Sequence, residues 1–127
     1  MKVAGILTLL FLFFSSCGIE DGRPNGIFIR VHNNSDVNFE NVSVRSGNAE
    51  QAFGDILSRT ESDYREFDHA FRYGAVWLNA EGVALSLVPI DYVGETPLRD
   101  GYYTYRIGLS SANLEDAALT FELEEDE

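Results

Sequence analysis

The chain has 127 residues, 45% of them apolar, with 21 acids against nine bases and a net charge of −12. That length provides for one domain with a single modest core, and that charge repels nucleic acid and anionic headgroups. With one cysteine in the whole chain, no internal disulfide can form, so packing alone must hold the fold.

Lys2 precedes an uncharged apolar run from Val3 to Phe14, followed by Ser15, Ser16 and Cys17. Twelve helical residues rise about 18 Å, well short of the roughly 30 Å hydrocarbon core. The run is too short for a stable span, and its length and flanks fit a signal peptide over residues 1–16. Phe14-Ser15-Ser16-Cys17 resembles the lipobox of bacterial lipoproteins, with Phe14 in place of the usual leucine. The alternative is an ordinary secretory signal with an incidental cysteine. The resemblance implies cleavage before Cys17, a thioether from its sulfur to diacylglycerol and acylation of the new amino group. Each buried methylene adds about 0.8 kcal/mol, so several acyl chains make a durable anchor.

The chain from Cys17 onward keeps eight arginines, no lysine and all 21 acids, a net charge of −13. Glu20 and Asp21 resemble the surface-export signal of small lipoproteins of Bacteroidota-type bacteria, and a plain hydrophilic tether explains them equally. Residues 17–26, with Arg23-Pro24-Asn25-Gly26, read as a flexible spacer.

From Ile27 the pattern has period two: Ile27, Ile29 and Val31 share one face, Arg30 and His32 the other. Asn33 to Asp36 is turn chemistry, because Asn and Asp side chains bond their own backbone. Val42 and Val44 mark a second strand, and Phe39, out of phase with them, marks a bulge or a strand start. Ser46 to Asn48 turns the chain. Between residues 48 and 70, short strands near Phe53 and over Tyr64–Phe67 are preferred to a helix over Thr60–Ala70, whose apolar stripe is thin. Two apolar runs then flank Asn79-Ala80-Glu81-Gly82, a compact hairpin whose first arm is a central strand. Trp77, in the middle of that arm, is expected in the core.

Ile90 to Gly101 reads as a long loop, with Tyr92, Glu95 and Arg99 as candidate binding residues together with Tyr102. Tyr103, Tyr105, Ile107 and Leu109 are in phase, which points Tyr102 outward. Leu119, Phe121 and Leu123 alternate with Thr120, Glu122 and Glu124 in an edge strand whose acids discourage further pairing. Residues 27–124 therefore form the domain and 125–127 a solvated acidic tail.

The fold class is all-β, an antiparallel β-sandwich of about seven strands. Gly101-Tyr102-Tyr103-Thr104-Tyr105 resembles both the tyrosine corner of immunoglobulin-like domains and the strand opening of transthyretin-like modules. As a whole the chain is similar to small Bacteroidota lipoproteins of sandwich type, a likeness that brings no catalytic residues with it.

Reaction chemistry is thin. Without lysine from Cys17 onward there is no Walker A loop, Schiff base or Ser-x-x-Lys acylation, and a lipidated Cys17 is no nucleophile. Gly108-Leu109-Ser110-Ser111-Ala112 approximates a nucleophile elbow, but reads as a turn after a strand. His32 and His69 read as surface residues. Asp63, Glu66 and Asp68 would need further oxygens from other loops to hold calcium. The expectation is a non-enzymatic lipoprotein of the cell envelope, anchored to the outer membrane through Cys17. It needs no cofactor or metal and serves as a protein-interaction or structural module. The alternative is a glycan-binding accessory lipoprotein that sets exposed aromatic rings against sugar faces.

Overall fold

A computed structural model describes residues 25–89 and 96–126. Within them eight strands follow in chain order: β1 (Ile27–Asn33), β2 (Phe39–Ser46), β3 (Ala49–Ile56) and β4 (Arg65–Phe67), then β5 (Ala75–Ala80), β6 (Val83–Leu87), β7 (Gly101–Leu109) and β8 (Leu119–Asp126). They form two four-stranded sheets, ordered β4-β1-β7-β8 and β3-β2-β5-β6, here called the first and second sheet. No described residue is helical. The strand count is thus eight rather than about seven, and one pairing is not antiparallel: β1 runs parallel to β7, with Ile27 opposite Gly101 and Asn33 opposite Ile107.

The period-two phases decide what lies between the sheets. Ile29, Val31, Tyr105 and Ile107 from the first sheet meet Val42, Val44, Val76 and Leu78 from the second, all at or near full burial. Phe39 is also buried, and its place is explained by register shifts between Phe39 and Ser43, where Asn41 takes φ 54°. β5 is a central strand between β2 and β6, and the β5–β6 hairpin closes through Glu81 and Gly82 at φ 48° and 82°, the pair of positive values a tight two-residue turn requires.

Trp77 corrects one expectation. Val76, Leu78 and Ala80 take the inward phase of β5, which turns Trp77 onto the outer face of the second sheet opposite Ser43 and Ser86. There the Arg45 guanidinium lies 5.4 Å from the centre of its ring. The acidic end differs too. β8 continues to Asp126, whose carboxylate accepts from Tyr64 and Thr104, so Glu125 and Asp126 belong to the sheet rather than to a tail. At the other end Gly26 accepts a 2.9 Å hydrogen bond from the Gly101 amide, so the spacer is already docked at its last residue.

Two polar knots fasten the sandwich. Asn33, fully buried, donates through Nδ2 to the carbonyls of Val37 and Ile56 at 2.8 and 2.9 Å, while its Oδ1 accepts from the Ser35 amide and hydroxyl. Tyr105, also fully buried, donates to the Phe71 carbonyl at 2.6 Å and lies 3.1 Å from Ser46 Oγ, which ties the two sheets together. Among the described residues no buried side-chain nitrogen or oxygen lacks a partner.

Candidate functional site

The outer face of the first sheet carries the densest chemistry. Opposed residues of neighbouring strands project on the same side of a sheet, so register alone builds its rows. Glu66, Phe28, Tyr102 and Asp126 form one row across all four strands. Arg30, Thr104 and Glu124 form the next, and His32, Arg106 and Glu122 the one after.

Phe28 and Tyr102 stack with ring centres 5.2 Å apart, and Tyr64 meets Tyr102 edge-on at 5.1 Å. Tyr102 is 40% exposed, which leaves one side of this aromatic cluster open to solvent. Beneath it runs a relay of hydrogen bonds: Arg30 Nε donates to Thr104 Oγ1 at 3.0 Å, and Thr104 Oγ1 to Asp126 at 2.8 Å. The Tyr64 hydroxyl donates to the same carboxylate at 2.7 Å. Burial, the hydrogen bond to Asp126 and the charge of Asp126 together push the Tyr64 hydroxyl up to about 12. The phenol therefore stays a neutral donor at any physiological pH.

Arg30 lies over the Tyr64 ring at 4.9 Å and within 3.6 Å of Glu61 and 3.8 Å of Asp126. Arg106 reaches Glu124 at 3.5 Å and Glu122 at 3.9 Å. The face thus sets five carboxylates, of Glu61, Glu66, Glu122, Glu124 and Asp126, against two guanidinium groups.

The residues singled out from the sequence scatter. Cys17, Tyr92 and Glu95 lie outside the described residues. Tyr102 sits on strand β7 rather than on a loop. Arg99 is exposed and lines a cleft of about 710 Å³ with Arg72, Asp100, Tyr103 and Glu125. The neighbours Tyr102 and Tyr103 point to opposite sides of β7, so the structure does not gather Arg99 and Tyr102 into one site. Tyr103 instead donates to the Arg99 carbonyl at 2.7 Å, closing the entry to β7.

His69 is exposed as expected, whereas His32 is not a plain surface residue: its side chain is 14% exposed, and its Nδ1 lies 3.2 Å from Glu61 Oε2. Among the described residues no three His, Cys, Asp or Glu side chains gather as a metal ion would need, and Asp63, Glu66 and Asp68 do not converge. Ser110 and Ser111 follow the end of β7, which makes the Gly108–Ala112 stretch a strand exit rather than an elbow. Phe28 and Tyr64 are the site residues the sequence reading missed. The signal for Phe28 was its alternation with Ile27 and Ile29; for Tyr64 there was none without the register.

No protein-family model matches this chain, and no curated protein matches it. Among solved structures, the NMR structure of a protein from Eubacterium rectale superposes with a TM-score of 0.53 at 17% identity, covering 82% of this chain and 94% of that one. At that identity the likeness speaks for the fold alone. No helix among the described residues is long and apolar enough to cross a membrane.

Proposed function

We propose that this chain is a lipoprotein of the bacterial cell envelope, anchored to the outer membrane through Cys17, which works without catalysis as a binding module. The observation that carries the binding role is the open aromatic cluster of Phe28, Tyr64 and Tyr102 on the outer face of a rigid four-stranded sheet. Large rigid rings cost little conformational entropy on association and supply most of the energy of small interfaces. The anchor reading is supported by the short apolar run and the lipobox at Cys17.

We further infer the transthyretin-like arrangement over the immunoglobulin-like one. A constant-type immunoglobulin domain places its first two strands side by side in one sheet. Here β1 pairs with β4 and β7, and β2 pairs with β3 and β5.

Two measurements test the functional reading. A fatty-acid analogue should label the wild-type protein in growing cells and leave Cys17→Ser unlabelled. A photo-crosslinking residue at position 102 should then yield a discrete protein adduct in intact envelopes, while the same residue at position 77, on the other outer face, should not. Absence of label on the wild type removes the anchor, and adducts that are equal at both positions remove the binding face. A glycan adduct at position 102 would instead favour the glycan-binding accessory role.

A further inference from the structure

Two rings of the outer surface are each covered by an arginine, and they set a pattern. Arg30 lies over Tyr64 at 4.9 Å and Arg45 over Trp77 at 5.4 Å. Each ring offers its negative face to a guanidinium, an attraction that grows as water is excluded. Tyr102 and Phe28 break the pattern. Tyr102 is exposed and stacks on the half-buried Phe28, and among the described residues no arginine lies over either ring. Their row is closed at both ends by carboxylates, the exposed Glu66 beside Phe28 and the half-buried Asp126 beside Tyr102.

We propose that this row is a docking site for a basic partner protein, which lays an arginine or lysine side chain along the Phe28–Tyr102 pair between Glu66 and Asp126. This rests on the binding role proposed above and names the chemistry of the occupant. Charge complementarity selects it on two scales. Locally, five carboxylates outnumber two arginines on the face, so an incoming cation meets a net negative field over a ring surface. Globally, the chain from Cys17 onward carries −13, which draws basic surfaces and repels acidic ones, a second copy of itself included. A neutral sugar could use the same rings and donate its hydroxyls to the acids that bound the row, but it carries no charge for the net negative field to attract.

The test uses the full chain in neutral-detergent micelles at physiological salt. Its probes are capped pentapeptides with a central arginine, lysine or citrulline among glycines and serines. Ring-proton chemical shifts of Tyr102 and Phe28 are followed during titration. The arginine peptide should shift both rings saturably and bind at least ten-fold more tightly than the citrulline peptide, with lysine between them. Tyr102→Leu, which keeps an apolar side chain, should weaken the arginine peptide at least five-fold. Glu66→Gln, at an exposed position where folding is not at stake, should weaken it about three-fold. Equal binding of arginine and citrulline peptides, indifference to Glu66→Gln, or a neutral hexasaccharide moving the same ring protons at lower concentration would each overturn the proposal. If the peptides fail while the position-102 crosslink to protein persists, the basic occupant is wrong and the binding face stands. If the crosslink fails as well, both fall.

Discussion

Asn33 concentrates more hydrogen bonds than any other side chain near it, and the side chain itself is fully buried. It fastens the turn from β1 to β2 and, through the Ile56 carbonyl, the end of β3. Asn33→Ala should therefore cost about 3 kcal/mol in urea denaturation, because it strips partners from groups that stay buried. Part of this was legible: the Asn-Asn-Ser-Asp stretch announces a turn whose side chains bond their own backbone, a local rule. Tyr64 is the opposite case. Its partner Asp126 lies 62 residues away, and only strand register brings the two together. The phenol is pushed up to about 12 from an ordinary 10.0, so the folded state holds its proton after the unfolded chain has lost it. The contribution of this phenol to stability should stay level below pH 10 and fall as pH rises from 10 toward 12. Tyr64→Phe should show a shallower fall over that window in denaturation midpoints taken at half-unit steps.

The phase of β7 sorts its two adjacent tyrosines. Tyr103 is 4% exposed and anchors the Arg99 carbonyl, so Tyr103→Ala should lose about 3 kcal/mol or more. Tyr102→Ala removes a stacked ring from the outer face and should lose about 1 kcal/mol, well below its neighbour in the same melts. Gly74 tests the seam between β2 and β5. A Cβ there would come within 2.6 Å of the Arg45 carbonyl oxygen, so Gly74→Ala must push the backbones apart and should cost more than about 2 kcal/mol. Gly82→Ala meets no such obstacle and carries only the strain of φ 82°, about 1 kcal/mol. At this scale alternation read well: β1, β7 and β8 show the expected faces, and the strands around Phe53 and over Arg65–Phe67 prevail over a helix. Alternation failed for Trp77, since nearly every residue of β5 is apolar and hydrophobicity alone cannot say which phase turns inward. It also stopped short at β8, where two of the acids that suggested a tail continue the strand, Glu125 opposite Tyr103 and Asp126 opposite Tyr102.

For the molecule as a whole, a two-layer β architecture follows from short alternating segments of nearly even spacing, and the eight strands bear that out. Which strand neighbours which does not follow from such segments. The aromatic row exists only because β1 lies between β4 and β7, a fact of topology that no local pattern encodes. That is why Tyr102 could be picked out as exposed while its companions Phe28 and Tyr64 could not. With the core resting on packing and on the Asn33 and Tyr105 knots, the melting temperature should be unchanged by chelator or reductant. A sharp drop with chelator would point to a metal contribution.

The parallel seam between β1 and β7 also sets the order of events in time. Arg30 and Thr104, bonded across it, are 74 residues apart, and contacts of that span make a chain slow to fold, in milliseconds to seconds. Until residues 101–109 have emerged, β1 lacks one of its two neighbours and the first sheet lacks half its strands. A chain truncated after Pro89 should therefore show no cooperative unfolding transition. Such a seam acts as a latch: the nascent chain stays pliable while it is incomplete, and it closes once its last two strands have arrived.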